Sequence, residues 1–301
     1  MASTIHKSQI TNRKSQLRSS IPFAKFHGLG NDWLVAGAVG LPRALGKFSK
    51  AILDRHTGIG ADGLLVLMPA QESSHTARLR FFNADGSEAE MSGNGIRCAG
   101  AFLAELQPDQ RTFLIETAAG LKSLEKVKGG KGRWRFRAGM GAPVLEPEKI
   151  PFKGEAAKAP VTNYELRTQR GLLPVTVTSM GNPHCSIFGG DPPDDWEALG
   201  REIETNSHFP NRTNVEFVKV ISRREIAVRF WERGVGHTMS SGTGSCAAAV
   251  ASILNGLTER RVRVRTEAGA LDVAWPEDGE VTLTGPVARV GRGTYDYGDK
   301  P

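Results

Sequence analysis

The chain has only three cysteines among its 301 residues, Cys98, Cys185 and Cys246. That is too few for a disulfide framework and fits a reducing, cytoplasmic setting. No apolar run approaches the roughly 18–20 residues of a membrane span, and no secretory apolar region is present, so no membrane partner is expected. Cys-x-x-Cys and His-Glu-x-x-His spacings are missing, as is a G-x-x-x-x-G-K-[ST] phosphate loop, so no metal or nucleotide phosphate is indicated. Acidic residues are missing from residues 1–20, where Lys7, Arg13, Lys14 and Arg18 supply four of the formal +7. The +3 left over the rest of the chain is too thin for a nucleic-acid footprint. The tail itself is Ser/Thr-rich and weakly apolar, and disorder is expected there. A transit peptide has a similar composition, but this tail is short and has a poor amphipathic pattern.

What the chain does contain is a repeated stretch. Residues 83–98 read NADGSEAEMSGNGIRC and lead into the apolar run from Cys98 to Leu103. Ser92-Gly93-Asn94-Gly95 before an apolar run describes a capped helix start whose bare N–H groups favour an anion. Alone this is weak, because such a cap opens many helices with nothing bound. Residues 232–246, ERGVGHTMSSGTGSC, repeat the design before Ala247–Ala251. Asn83 pairs with Glu232, Ser92 with Ser241, Arg80-Phe81-Phe82 with Arg229-Phe230-Trp231, and Thr117 with Thr266, all at an offset of 149 residues. Gly30-Asn31 and Gly181-Asn182 pair at 151. One long offset signals a duplicated unit. Two halves, each with an anion-seeking helix start, imply a pseudo-twofold protein with its site in the cleft between them.

In chain order, strands are expected from Ile21 (through Phe23 and Phe26), then at 33–36, 64–67, 78–82, 112–116 and 134–137, with a helix over 95–106 and a turn over 129–132. Pro143, Pro147 and Pro151 mark a linker. The division is therefore residues 1–20 as tail, 21–139 plus 286–301 as one domain, and 140–285 as the other. In the second domain, strands are expected at 173–177, 184–188, 213–217, 262–265, 271–275 and 281–284, with 285–298 crossing back. On a strand, His184 and Cys185 point to opposite faces, so only one of them can face the cleft. His184 follows an asparagine with a repeat mate, which makes it a site candidate; most lone histidines are structural.

Read together, these residues resemble the pyridoxal-independent diaminopimelate epimerases. The resemblance is carried by HGLGND (27–32), RHTGIGADG (55–63), FNADGS (82–87), SGNG (92–95), GNPH (181–184), TNV (213–215), ERG (232–234) and SGTGSC (241–246). It implies an α/β (α+β) fold of two pseudo-twofold-related domains, each a curved, mostly antiparallel sheet around a central helix. It also implies a cofactor-free 1,1-proton transfer interconverting LL- and meso-diaminopimelate. By the same resemblance Asn31, Asn83, Asn182, Asn214 and Arg233 hold the ends of a diamino dicarboxylic acid. The amides of Gly93, Asn94, Gly242 and Thr243 receive its reacting carboxylate, and Glu232 and His184 sit beside the two proton-transfer positions. The family has cysteines at those two positions, whereas this chain carries Ser92 and Ser241. Four readings stay open: an epimerase working through serines or another relay, a related cofactor-free isomerase using His184 or Glu232, a non-catalytic diamino-acid-binding homologue or Cys-to-Ser variant, and a nucleic-acid module. A homodimer is also left open.

Overall fold

A computed structural model describes residues 19–154, 158–277 and 279–298. Eight strands close a ring in the first half: Ser19–Gly28, Asn31–Gly37, Gly63–Met68, Ala77–Asn83, Thr112–Thr117, Gly120–Gly130, Arg133–Gly141 and the last strand, Val281–Tyr297. Most pairings are antiparallel. The two parallel ones, Asn31–Gly37 with Gly63–Met68 and Ala77–Asn83 with Thr112–Thr117, are those spanned by helices. This follows from geometry, because parallel neighbours need a crossover long enough to return the chain. Helix α1 (Leu45–Leu53) makes the first crossover on the outside. Helix α2 (Gly93–Leu106) makes the second through the middle of the ring.

The second half repeats this order. Gly171–Ser179, Pro183–Gly189, Asn214–Ser222, Glu225–Glu232, Arg261–Thr266 and Gly269–Ala274 pair in sequence. Here α3 (Trp196–Glu204) crosses outside and α4 (Gly242–Leu254) runs through the centre. Strand Val161–Thr168 flanks this sheet. The final strand pairs with Gly269–Ala274 at its start and with Ser19–Gly28 over its second part, so it joins the halves. The expected return of 285–298 to the first half corresponds to this pairing.

Composition explains why α2 and α4 sit inside their sheets. A helix enclosed on all sides is mostly small and apolar, and α2 departs from this at the buried Asn94 and Arg97. Helix α4 reads GTGSCAAAVASIL and is buried from Ala247 to Ser252; α2 is buried over Gly93–Ala101. Gly100 lets α2 approach the sheet, since a Cβ there would stand 2.1 Å from Leu124 Cδ2. The largest apolar core is continuous across both halves, running from Phe26 and Phe81 through Met140, Met180 and Leu283 to Val228 and Phe230.

Several elements differ from the sequence expectation. Helices α1 and α3 were not expected; nine residues give too few turns for a 3.6-residue period to stand out. Helix α2 starts at Gly93, two residues before the expected start. The short strand expected at 281–284 is the first part of the 17-residue strand Val281–Tyr297, which continues through Gly285 and Pro286 because it has partners along its whole length. Of the expected tail, Ser19 and Ser20 belong to the first strand, opposite Tyr297 and Asp296, and residues 1–18 lie outside the described residues. Among the described residues, no helix is long and apolar enough to cross a membrane.

Candidate active site

Each central helix begins with a serine in extended conformation, Ser92 at φ −136°, ψ 127° and Ser241 at φ −125°, ψ 131°. Ser92 Oγ accepts from Gly95 N at 3.1 Å, and Ser241 Oγ from Gly244 N at 3.2 Å. The cap carbonyls accept from Ile96 N and Ser245 N. This accounts for the third and fourth amides of each end. The N–H groups of Gly93 and Asn94, and of Gly242 and Thr243, are left as the open donors expected at a helix start. The two ends meet: a Cβ on Gly242 would lie 3.5 Å from Gly93 Cα, and one on Gly93 would lie 3.7 Å from Gly242 Cα. Two positive dipole ends brought together form a stronger anion site than either alone.

The polar side chains singled out in the sequence fall into hydrogen-bonded groups. Glu232 is held by two hydroxyls, Thr238 Oγ1 donating at 2.6 Å and Ser241 Oγ at 3.1 Å, so Ser241 and Glu232 are in direct contact. His184 is fully buried between Asn182 Oδ1, 2.9 Å from Nε2, and Glu216 Oε1, 2.6 Å from Nδ1. Asn214 donates to Pro183 O at 2.8 Å and accepts from Arg233 N at 3.0 Å, which ties the Arg233 turn to the His184 strand. The Arg233 side chain is exposed and donates to Asn211 O at 3.1 Å.

In the first half, Asn31 donates to Asp62 Oδ2 at 2.8 Å and accepts from Trp33 Nε1 at 2.6 Å. Asn83 is exposed and donates to Ser87 Oγ at 3.0 Å, within its own turn. Gly30 and Gly181 both take the left-handed conformation, φ 85° and 96°, so the repeat seen in sequence is a repeated turn. Among the described residues, no hydrogen bond links Ser92 to His184 or Glu232. Of the two alternating residues, Cys185 packs into the outer core while His184 takes the polar side.

Four supporting residues escaped sequence reading, three because each lies about 30 residues along the chain from what it holds, and Arg97 because its burial is decided by packing. Glu216 orients His184; burial pushes its carboxyl above the ordinary value, against the lowering effect of His184. Glu204 of α3 accepts from Trp231 Nε1 at 2.8 Å and Gly234 N at 2.9 Å, anchoring the turn that carries Arg233. Asp62 fixes Asn31, and the carboxylates of Asp62 and Asp32 each accept from the other residue's backbone N–H. For Asp32, burial works upward, but hydrogen bonds from Arg55 and Lys25 outweigh it and hold the carboxyl low. The fourth is Arg97, fully buried against α2. All three thiols are buried, and burial pushes Cys98 and Cys246 up to about 12 and Cys185 well above its ordinary value.

The diaminopimelate epimerase family model matches residues 23–146 and 176–290, one segment in each half. The diaminopimelate epimerase of Desulforudis audaxviator is 45% identical over 278 residues, covering 91% of this chain and 98% of that protein. The diaminopimelate epimerase of Pelotomaculum thermopropionicum is 42% identical over 283 residues, covering 91% and 99%. Among solved structures, a hydroxyproline epimerase from Agrobacterium vitis superposes with a TM-score of 0.66 at 15% identity, covering 95% of each chain. A methylitaconate-delta-isomerase gives 0.65 at 16% identity, covering 94% of this chain and 98% of that one. These two similarities concern the fold.

Proposed function

This chain belongs to the diaminopimelate epimerase family, and from that premise we propose that it interconverts LL- and meso-diaminopimelate without a cofactor. A base removes the α-proton on one face of the carbon, and an acid on the opposite face returns one. The observation that carries this reading is the meeting of two capped helix starts at Gly93 and Gly242. Removing the α-proton places further negative charge on the adjacent carboxylate. Preorganised N–H donors at Gly93, Asn94, Gly242 and Thr243 stabilise that charge without reorganising.

Ser92 and Ser241 occupy the two proton-transfer positions in this proposal, one at the start of each central helix. Glu232, in contact with Ser241 Oγ, is the group able to take its proton. His184, held by Glu216, is assigned to the other side. Asn31, Asn83, Asn182, Asn214 and Arg233 are assigned to the amino groups and the far carboxylate, Arg233 as a fork suited to a carboxylate. The reading carries with it a cytoplasmic location and two closing units, residues 21–139 plus 286–301 and residues 140–285.

The test is proton NMR of LL-diaminopimelate in deuterated solvent with the enzyme, alongside a panel of other amino acids. Loss of the α-proton signal and appearance of the meso isomer for diaminopimelate alone is the expected result. Exchange confined to a different amino acid would move the substrate assignment. Binding without exchange would leave a diamino-acid-binding protein.

A further inference from the structure

Arg97 is the largest fully buried side chain among the described residues and has no ionic partner among them. Its Nη1 donates to Gly93 O at 2.8 Å, its Nη2 donates to Asn94 Oδ1, and its Nε has no partner. Both acceptors are neutral. Burial lowers the guanidinium only to about 10, so it is charged at neutral pH. The ionisable groups around it are the protonated Cys98 and Cys246 thiols and another cation, Arg135.

A buried cation without a counter-ion is costly, and the fold does not require one here. At the repeat offset of 149 the second half carries Cys246, and α4 traverses its sheet with a small apolar side chain at the matching place. The chain also makes room for the guanidinium. A Cβ on Gly28 would lie 3.2 Å from Arg97 Nη2, and one on Gly285 would lie 3.0 Å from Nε.

The geometry points to Arg97 as a positioning residue for the reacting carboxylate, its unpaired charge locking the first turn of α2 and raising the positive potential where the two helix starts meet. Three effects combine. The guanidinium clamps the Asn94 side chain, which fixes the backbone N–H of the same residue. By donating to Gly93 O it polarises the peptide whose N–H is that of Asn94. Its charge, uncancelled by any carboxylate among the described residues, is available to the dianionic carboxylate that forms when the α-proton leaves.

The inference rests on the family reaction for its kinetic consequence, but the potential itself is measurable without substrate. Ser92→Cys places a thiol at the start of α2, and its alkylation rate by iodoacetamide against pH reports the thiol pKa; the three native thiols are buried. Adding Arg97→Met should raise that pKa by about one unit, the effect of removing a nearby opposite charge. Adding Arg97→Lys, which keeps the charge, should leave it within about 0.3 unit of the Ser92→Cys value. Arg97→Gln is the second neutral variant should the methionine fail to fold, judged by circular dichroism. In a Ser92→Cys/Ser241→Cys background, Arg97→Met should lower kcat for α-hydrogen exchange about tenfold or more with a smaller change in KM. An unmoved thiol pKa in a folded neutral variant overturns the proposal, as does an unchanged kcat in an exchanging background. Absence of exchange in that background would count against the family reaction instead, and the thiol titration would still decide the role of Arg97.

Discussion

Ser92 and Ser241 cap the two central helices and stand at the proposed proton-transfer positions. Ser92 Oγ and Ser241 Oγ already accept from Gly95 N and Gly244 N, an interaction a thiol forms only weakly. Serine is thus the better cap and the poorer acid, since a free thiol titrates near 8.5 and a helix start lowers it further. General acid–base catalysis is worth roughly 10²- to 10⁴-fold and is best when the catalytic pKa lies near ambient pH. In the proposed reaction both positions act in one turnover, so Ser92→Cys or Ser241→Cys alone should recover little and the pair much, a non-additive pattern. Epimerisation assays of the parent, both singles and the double test this; a parent equal to the double would mean a serine relay is sufficient. Arg233 makes a separate prediction. Arg233→Ala should weaken diaminopimelate binding by about 2–5 kcal/mol, the usual cost of leaving a buried carboxylate unpaired. Calorimetry giving an unchanged affinity would remove Arg233 from the ligand site.

At the scale of elements, the same logic of side chains satisfying backbone recurs away from the site. Glu116, on strand Thr112–Thr117, accepts from the N–H groups of Glu72 and Gln71 at 3.0 Å and contacts His75 Nδ1 at 2.8 Å. These bonds, the two backbone amides first and His75 next, pull its carboxyl from 4.5 to about 2. The folded value lies below the unfolded one. Its contribution is therefore fully present above about 4.5 and is lost as pH falls through about 2. Glu116→Gln should melt at a lower temperature than the parent at pH 7, and the gap should close between about pH 5 and pH 2. Melting curves across that range check it, and a gap independent of pH would show that the charge is not what ties the 71–75 turn to the strand.

For the whole molecule, the closing element is Val281–Tyr297. It completes the first ring between Arg133–Gly141 and Ser19–Gly28, and it carries Tyr295 and Tyr297 onto Phe48 of α1 with ring centroids 6.2 and 5.0 Å apart. Arg289 and Arg292 both reach Glu105 near the end of α2. Because this strand also pairs with Gly269–Ala274, it ties the first ring to the second half. Truncation after Gly285 should therefore open the ring, expose the edge of Ser19–Gly28 and abolish cooperative unfolding. A truncated chain melting like the parent would show that the ring is not closed by this strand. The continuous core across both halves gives the same picture, since Met140, Met180 and Leu283 belong to one apolar cluster with residues of both central helices.

From sequence alone, the duplication, the two capped helix starts and the family motifs were all determined, because each depends on local spacing. Ser92 three residues before Gly95 is a cap wherever the chain goes, and an offset of 149 residues survives any folding. Tertiary structure decided the rest. It brought Gly93 against Gly242, turned His184 toward Glu216 and Cys185 into the outer core, and set Glu204 beneath the Arg233 turn. It also enclosed Arg97 between Gly28 and Gly285. Those partners lie from a few tens to nearly two hundred residues apart, and periodicity carries no information at that range. A buried carboxylate or guanidinium has the same letter as an exposed one, and only the packing around it sets its charge cost and hence its role.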